Sequence, residues 1–98
     1  MKTAIASTAK TPNGEISDRG GRAPYYLIFD DKNKLIKSIK NPFATGGGGA
    51  GYGVAKMLKD EGVDKVVVGK IGGKMEVALE EAGIEFIEGE GTIDAFIS

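Results

Sequence analysis

The sequence predicts an α/β protein, a five-stranded mixed sheet with helices packed on it. Three observations carry that expectation. The first half alternates short apolar runs with turn residues, and the second half alternates helical periodicity with valine-rich runs. A helix–glycine–strand unit also occurs twice: Leu58-Gly62-Val63-Val66 is repeated as Leu79-Gly83-Ile84-Ile87 at an offset of 21 residues.

Residues 3–8 are small and β-branched, suit a central strand, and end before the turn cluster Pro12-Asn13-Gly14. Residues 15–24 form a polar loop containing Gly20-Gly21-Arg22. Tyr25-Tyr26-Leu27-Ile28-Phe29 is almost wholly apolar, the pattern of a strand covered on both faces. Residues 30–34 make a hairpin turn. The chain returns as Leu35-Ile36-Lys37-Ser38-Ile39-Lys40, a less apolar edge strand that stops at Asn41-Pro42. A glycine-rich segment then runs into a helix whose apolar stripe is Val54, Met57 and Leu58, with Gly62 at its end. Lys65-Val66-Val67-Val68-Gly69 reads as a buried parallel strand. A second helix carries Met75, Ala78, Leu79 and Ala82 on one face and stops at Gly83. Ile84-Glu85-Phe86-Ile87 is the fifth strand, and residues 92–97 form a last helical turn or two. The order is βββαβαβα in one domain spanning residues 1–98.

Composition removes several chemistries. The 98 residues contain no Cys and no His, which excludes thiolate-held metals, thiol nucleophiles and imidazole bases. Lys and Arg total 13 against 14 Asp and Glu, a net charge of −1, so no basic field favours nucleic acid. The start, Met1-Lys2-Thr3-Ala4-Ile5, has too short an apolar run for a signal peptide or a membrane span. The expectation is a cytoplasmic protein that meets neither membrane nor nucleic acid. Any ligand must be held by backbone, hydroxyls, carboxylates, Lys or Arg.

Six glycines fall within residues 46–53. Gly46-Gly47-Gly48-Gly49-Ala50-Gly51 matches G-x-G-x-x-G formally, but any glycine run does, and the next strand ends in Gly69-Lys70 rather than an acidic residue. The phosphate-loop pattern fails for want of a Lys after Gly51. Glycine costs about 0.5–1 kcal/mol relative to alanine in ordered structure. Two readings remain open: a mobile loop, or bare N–H groups at a helix start that cradle an anion. Gly69-Lys70-Ile71-Gly72-Gly73 and Gly89-Glu90-Gly91 add two smaller glycine loops at the same predicted edge of the sheet. Arg19, Arg22, Lys70 and Lys74 are the nearby cations, and the Arg22 fork suits a carboxylate or phosphate. No nucleophile–base–orienter set is present.

Glu15-Ile16-Ser17, Gly21-Arg22-Ala23-Pro24-Tyr25-Tyr26, Asn41-Pro42 and Gly47-Gly48-Gly49-Ala50-Gly51 together resemble the nitrogenase iron–molybdenum cofactor-binding family. The stretch from Gly62 to Gly72, then Ala82-Gly83-Ile84 and Glu88-Gly89-Glu90-Gly91-Thr92, extends the likeness. This is the NifX-type domain, which also forms the C-terminus of NifB-like proteins. The resemblance implies a ribonuclease H-like three-layer α/β/α fold, strand order 3-2-1-4-5 with strand 2 antiparallel. It also implies a non-enzymatic domain that binds and carries iron–molybdenum cofactor or an iron–sulfur precursor, with a protein partner in metallocluster assembly. The family's usual segment, Ser-x-His-Phe-Gly-Arg-Ala, reads Ser17-Asp18-Arg19-Gly20-Gly21-Arg22-Ala23 here, so Arg19 stands at the histidine position.

The expected site is a bowl that takes an anionic small ligand or metallocluster. Its residues are Ser7, Thr8, Arg19, Arg22, Gly46, Gly47, Gly48, Gly49, Gly51, Gly69, Lys70 and Gly72, with no catalytic residue and no metal ligand among them. The alternative is a cofactor-free interaction or regulatory module that meets a protein partner through residues 35–40 or the glycine loop. A ribonuclease H-type nuclease is disfavoured, because two-metal hydrolysis needs converging carboxylates and residues 3–8 carry none.

Overall fold

The structure, a computed structural model, describes residues 1–45 and 49–97. Its elements are β1 (Thr3–Ser7), β2 (Tyr25–Phe29), β3 (Leu35–Lys40), α1 (Ala50–Asp60), β4 (Lys65–Val68), α2 (Gly73–Ala82), β5 (Glu85–Glu88) and α3 (Ile93–Ile97). They form one five-stranded sheet in the order β3-β2-β1-β4-β5, as the family resemblance implies. β2 is antiparallel to both β1 and β3, whereas β4 is parallel to β1 and β5 parallel to β4. β1, β3, β4 and β5 therefore all point the same way. Their C-terminal ends line one edge of the sheet, together with the start of β2.

Strand alternation divides the core. Ala4 and Ala6 on β1, Tyr26 and Ile28 on β2, and Val66 and Val68 on β4 pack with Val54, Ala55 and Leu58 of α1 and Met75, Ala78 and Leu79 of α2. Ile5, Leu27, Phe29 and Val67 face the other way, onto Ile16, Ile93 and Ile97. The three layers are unequal. Helices of 11 and 10 residues cover one face, while the five-residue α3 and the segment around Ile16 cover the other. No helix among the described residues is long and apolar enough to cross a membrane.

The boundaries shift from the expected ones where backbone groups find other partners. β1 stops at Ser7, since the Thr8 N–H turns to the Glu15 carbonyl at 3.0 Å and closes the loop between them. β5 starts at Glu85 rather than Ile84, whose N–H donates to the Leu79 carbonyl at the end of α2. β3 is an open edge with Leu35 and Ile36 exposed, but a bulge near Ile28 and Phe29 and the run of lysines blunt it against further pairing.

Leu58→Ala should lower the unfolding free energy by about 2–5 kcal/mol, because Leu58 is fully buried under the sheet. Ile36→Ala on the open edge should change it by no more than about 0.5 kcal/mol in the same urea titration. The exposed turn before β3 titrates separately. The Asp30 carboxylate accepts N–H bonds from Lys34 and Lys32, both at 2.9 Å, and the Lys34 bond first of all holds its pKa below the ordinary aspartate value. Its contribution is present above the unfolded-state pKa and lost as pH falls through the lower folded one. An NMR titration should find Asp30 below the ordinary aspartate value, and Asp30→Asn should remove that acid-side dependence.

Candidate functional site

The site is organised by the segment from Ile16 to Ala23, which crosses the C-terminal edge of the sheet between β1 and β2. Ser17 donates its N–H to the Ala6 carbonyl at 2.8 Å and accepts the Gly69 N–H at 2.7 Å, so it bridges the ends of β1 and β4. The approach at Gly69 is backbone on backbone. A β-carbon there would lie 2.5 Å from Asp18 Cα and 2.9 Å from the Ser17 oxygen, so only glycine fits. Further along, a β-carbon on Gly20 would meet Met75 Sδ at 2.7 Å, and one on Gly21 would meet Ala50 Cβ and the Gly51 nitrogen at 3.3 Å. Gly51 in turn lies against the Met75 backbone, where an added β-carbon would sit 3.0 Å away. The Gly20–Gly21 turn thus rests on the first turns of both α1 and α2, which touch each other.

Both helices begin without a side-chain cap. Gly49 precedes α1 and Gly72 precedes α2, and neither has a side chain to accept the first N–H groups. α1 has no acidic residue in its first turn, whereas α2 has Glu76. The positive ends of two helix dipoles therefore meet at the Gly20–Gly21 turn, which Arg19 and Arg22 flank in the chain.

Buried polar side chains hold the loop from the inside. Asn41, just after β3, donates from Nδ2 to the Gly21 carbonyl at 3.1 Å and to the Ala23 carbonyl at 2.9 Å, and accepts the Phe43 N–H at 3.0 Å. The Tyr26 hydroxyl donates to the Gly20 carbonyl. Burial pushes its pKa far above the ordinary phenol value, so it stays a protonated donor near neutral pH. Arg22 donates from Nη1 to the Phe43 carbonyl at 2.9 Å, tying the loop to the chain that leads towards α1.

On the other flank the charge reverses. Gly69 and Lys70 line an open cleft of about 450 Å³ with Asp18, Glu88 and Glu90. A neighbouring concavity of about 550 Å³ is lined by Thr8, Glu15, Asp18 and Glu90. One Glu88 carboxylate oxygen accepts the Ile71 N–H at 3.1 Å. No group of three or more acidic side chains among the described residues is arranged to hold a metal ion.

A family model described as dinitrogenase iron-molybdenum cofactor matches residues 1–98. The chain belongs to that family. It is similar in structure to a Thermotoga protein described as NifB, with 29% identity and a TM-score of 0.79 over 97% of this chain and 85% of that one. It is also similar to the apo form of the orange protein from Desulfovibrio gigas, with 26% identity and a TM-score of 0.84 over 97% of this chain and 82% of that one. Comparison with curated proteins returns no match. Membership makes this a domain of the cofactor-binding or carrier type, associated with metallocluster biosynthesis rather than with a known catalytic activity.

The expected site residues fall into distinct groups in this family member. Gly49, Gly51 and Gly72 lie at the two helix starts, whereas Arg22 reaches the Phe43 carbonyl and Arg19 is an exposed residue next to Gly20 in the chain. Gly69 and Lys70 lie on the acidic flank, where Gly69 serves close packing. Ser7 is fully buried and its hydroxyl is engaged with the Ala9 backbone, donating to the carbonyl and accepting the N–H. The Thr8 hydroxyl accepts the Glu15 N–H at 3.0 Å. Gly46, Gly47 and Gly48 lie outside the described residues. Sequence reasoning missed Tyr26, Asn41 and Met75 as parts of the site. Asn41 and Tyr26 both fall within stretches that carry the family resemblance, the one signal for them in the sequence, whereas Met75 read as an ordinary core residue.

Gly69→Ala should destabilise the fold by about 1–3 kcal/mol, the usual cost of forcing extra volume into a packed site. It should also shift the amide resonances of Ser17 and Asp18 more than any others. Parent-like stability and an unchanged Ser17 amide would contradict the close approach described here.

Proposed function

We propose that this chain is a non-enzymatic carrier that holds an anionic metallocluster, iron–molybdenum cofactor or an iron–sulfur precursor of it. The cargo sits where the Gly20–Gly21 turn meets the starts of α1 and α2. The observation that carries this reading is the convergence of two side-chain-uncapped helix starts on one glycine turn flanked by Arg19 and Arg22. With no Cys or His in the chain, the residues do not fit direct thiolate or imidazole ligation of iron or molybdenum. They fit the cluster's outer surface instead: backbone N–H groups and guanidinium charge hydrogen-bond to anionic sulfide or carboxylate atoms. Gly49, Gly51 and Gly72 supply the backbone of this cradle.

The reading also assigns the acidic flank a role. Asp18, Glu88 and Glu90 oppose an anion at the Lys70 cleft, so the cargo is confined to the arginine side. Held only through its outer surface, the cluster keeps its metals open to ligands from another protein. A carrier of this kind receives and delivers cargo, which calls for a protein partner in metallocluster assembly.

Under anaerobic conditions, Arg19→Ala and Arg22→Ala should each weaken binding of isolated iron–molybdenum cofactor by about tenfold to a hundredfold, the value of a hydrogen bond to a charged group. Glu90→Gln on the opposite flank should leave affinity the same or slightly higher. Unchanged affinity in both arginine variants would overturn the proposal.

A further inference from the structure

We infer that Tyr26 and Asn41 are positioning residues, a buried clamp that draws the carbonyls of Gly20, Gly21 and Ala23 inward and so presets the Gly20–Arg22 backbone for the cargo. The inference rests on the carrier reading and deepens it, because neither residue is placed to touch the ligand.

The geometry is specific. Asn41 is 3% exposed, and its side-chain donors and acceptor are all engaged: Nδ2 on two carbonyls of the loop, Oδ1 on the Phe43 N–H. Its own N–H donates to the Pro24 carbonyl at 3.0 Å, which docks the end of β3 against the start of β2. Tyr26 is fully buried on β2, and its hydroxyl takes the carbonyl of Gly20. Three carbonyls of the loop, at positions 20, 21 and 23, are thus turned towards the protein by groups that lie outside the loop.

The loop needs this help. Gly20 and Gly21 have no side chains of their own to anchor them, and glycine has the largest backbone freedom to lose. Ser17 fixes the loop's entry and Pro24 its exit, but between them the backbone direction is set from Tyr26 and Asn41. Among the described residues, no acceptor takes the N–H of Gly20 or Gly21. A clamp on the carbonyl side that leaves donors on the other side is the arrangement expected of an anion cradle fixed before its ligand arrives, which spares the ordering cost at binding.

Two near-isosteric variants test this. Tyr26→Phe removes only the hydroxyl. Asn41→Asp replaces the two donors with an acceptor facing two carbonyls. In the ligand-free protein, both should speed amide hydrogen exchange from Arg19 to Ala23 while the amides of β1 and β4 keep their protection. With isolated iron–molybdenum cofactor as the probe, both should weaken binding by about tenfold or more. Combined with Arg19→Ala, Tyr26→Phe should be clearly non-additive, because a disordered loop has already misplaced Arg19; a purely general loss of stability would leave the two effects additive. Unchanged exchange in the loop, or strict additivity, overturns the clamp. Failure of the parent chain to bind the cofactor at all overturns the carrier reading, and with it the clamp's role in binding, while the exchange result still reports whether the clamp orders the loop.

Discussion

The fold's functional edge depends on one close approach, the Gly69 N–H donating to the Ser17 carbonyl at 2.7 Å with no side chain between the two backbones. That contact pins the segment after β1 across the end of β4. Once it is pinned there, the chain must pass over the starts of α1 and α2 to reach β2. Gly20, Gly21 and Gly51 let it pass at van der Waals distance. A segment displaced by the width of one methyl group would carry Arg19 and Arg22 away from both helix starts.

The same crossing separates two electrostatic surroundings. On the α1–α2 side are the positive ends of two helices, against a glycine turn that Arg19 and Arg22 flank in the chain. On the β5 side Asp18, Glu88 and Glu90 surround Lys70. The net charge of −1 conceals the acidic lining of this cleft. Arg19 is exposed at the point where the family's usual segment has a histidine. A guanidinium donates hydrogen bonds and offers no lone pair to a metal.

Most of the fold was legible in the sequence, because each element announces itself through local physics. The two aromatic-rich and valine-rich strands are covered on both faces, the helices show a 3.6-residue stripe, and Gly62 and Gly83 close them at φ values of 77° and 74°. The strand order came from the family resemblance, since periodicity alone does not rank parallel neighbours. The site was less legible. The glycines marked the right edge, but a glycine that permits a close approach and one that offers an N–H to a ligand are the same letter. Gly69 does the first, while Gly49 and Gly72 leave helix starts uncapped. Ser7 and Thr8 read as candidate ligand hydroxyls, yet both are occupied by the backbone of the loop they open. Asn41 and Tyr26 escaped because their partners are carbonyls 18–20 and 6 residues away in sequence, a distance that no local pattern encodes.

The most direct measurement is an anaerobic amide chemical-shift titration of the labelled chain with isolated iron–molybdenum cofactor. The account predicts saturable shifts concentrated at Gly20, Gly21 and Arg22 and at the first residues of α1 and α2, with Glu88, Gly89 and Glu90 little affected. Shifts centred on the acidic cleft beside Lys70, or none at millimolar cofactor, would contradict it.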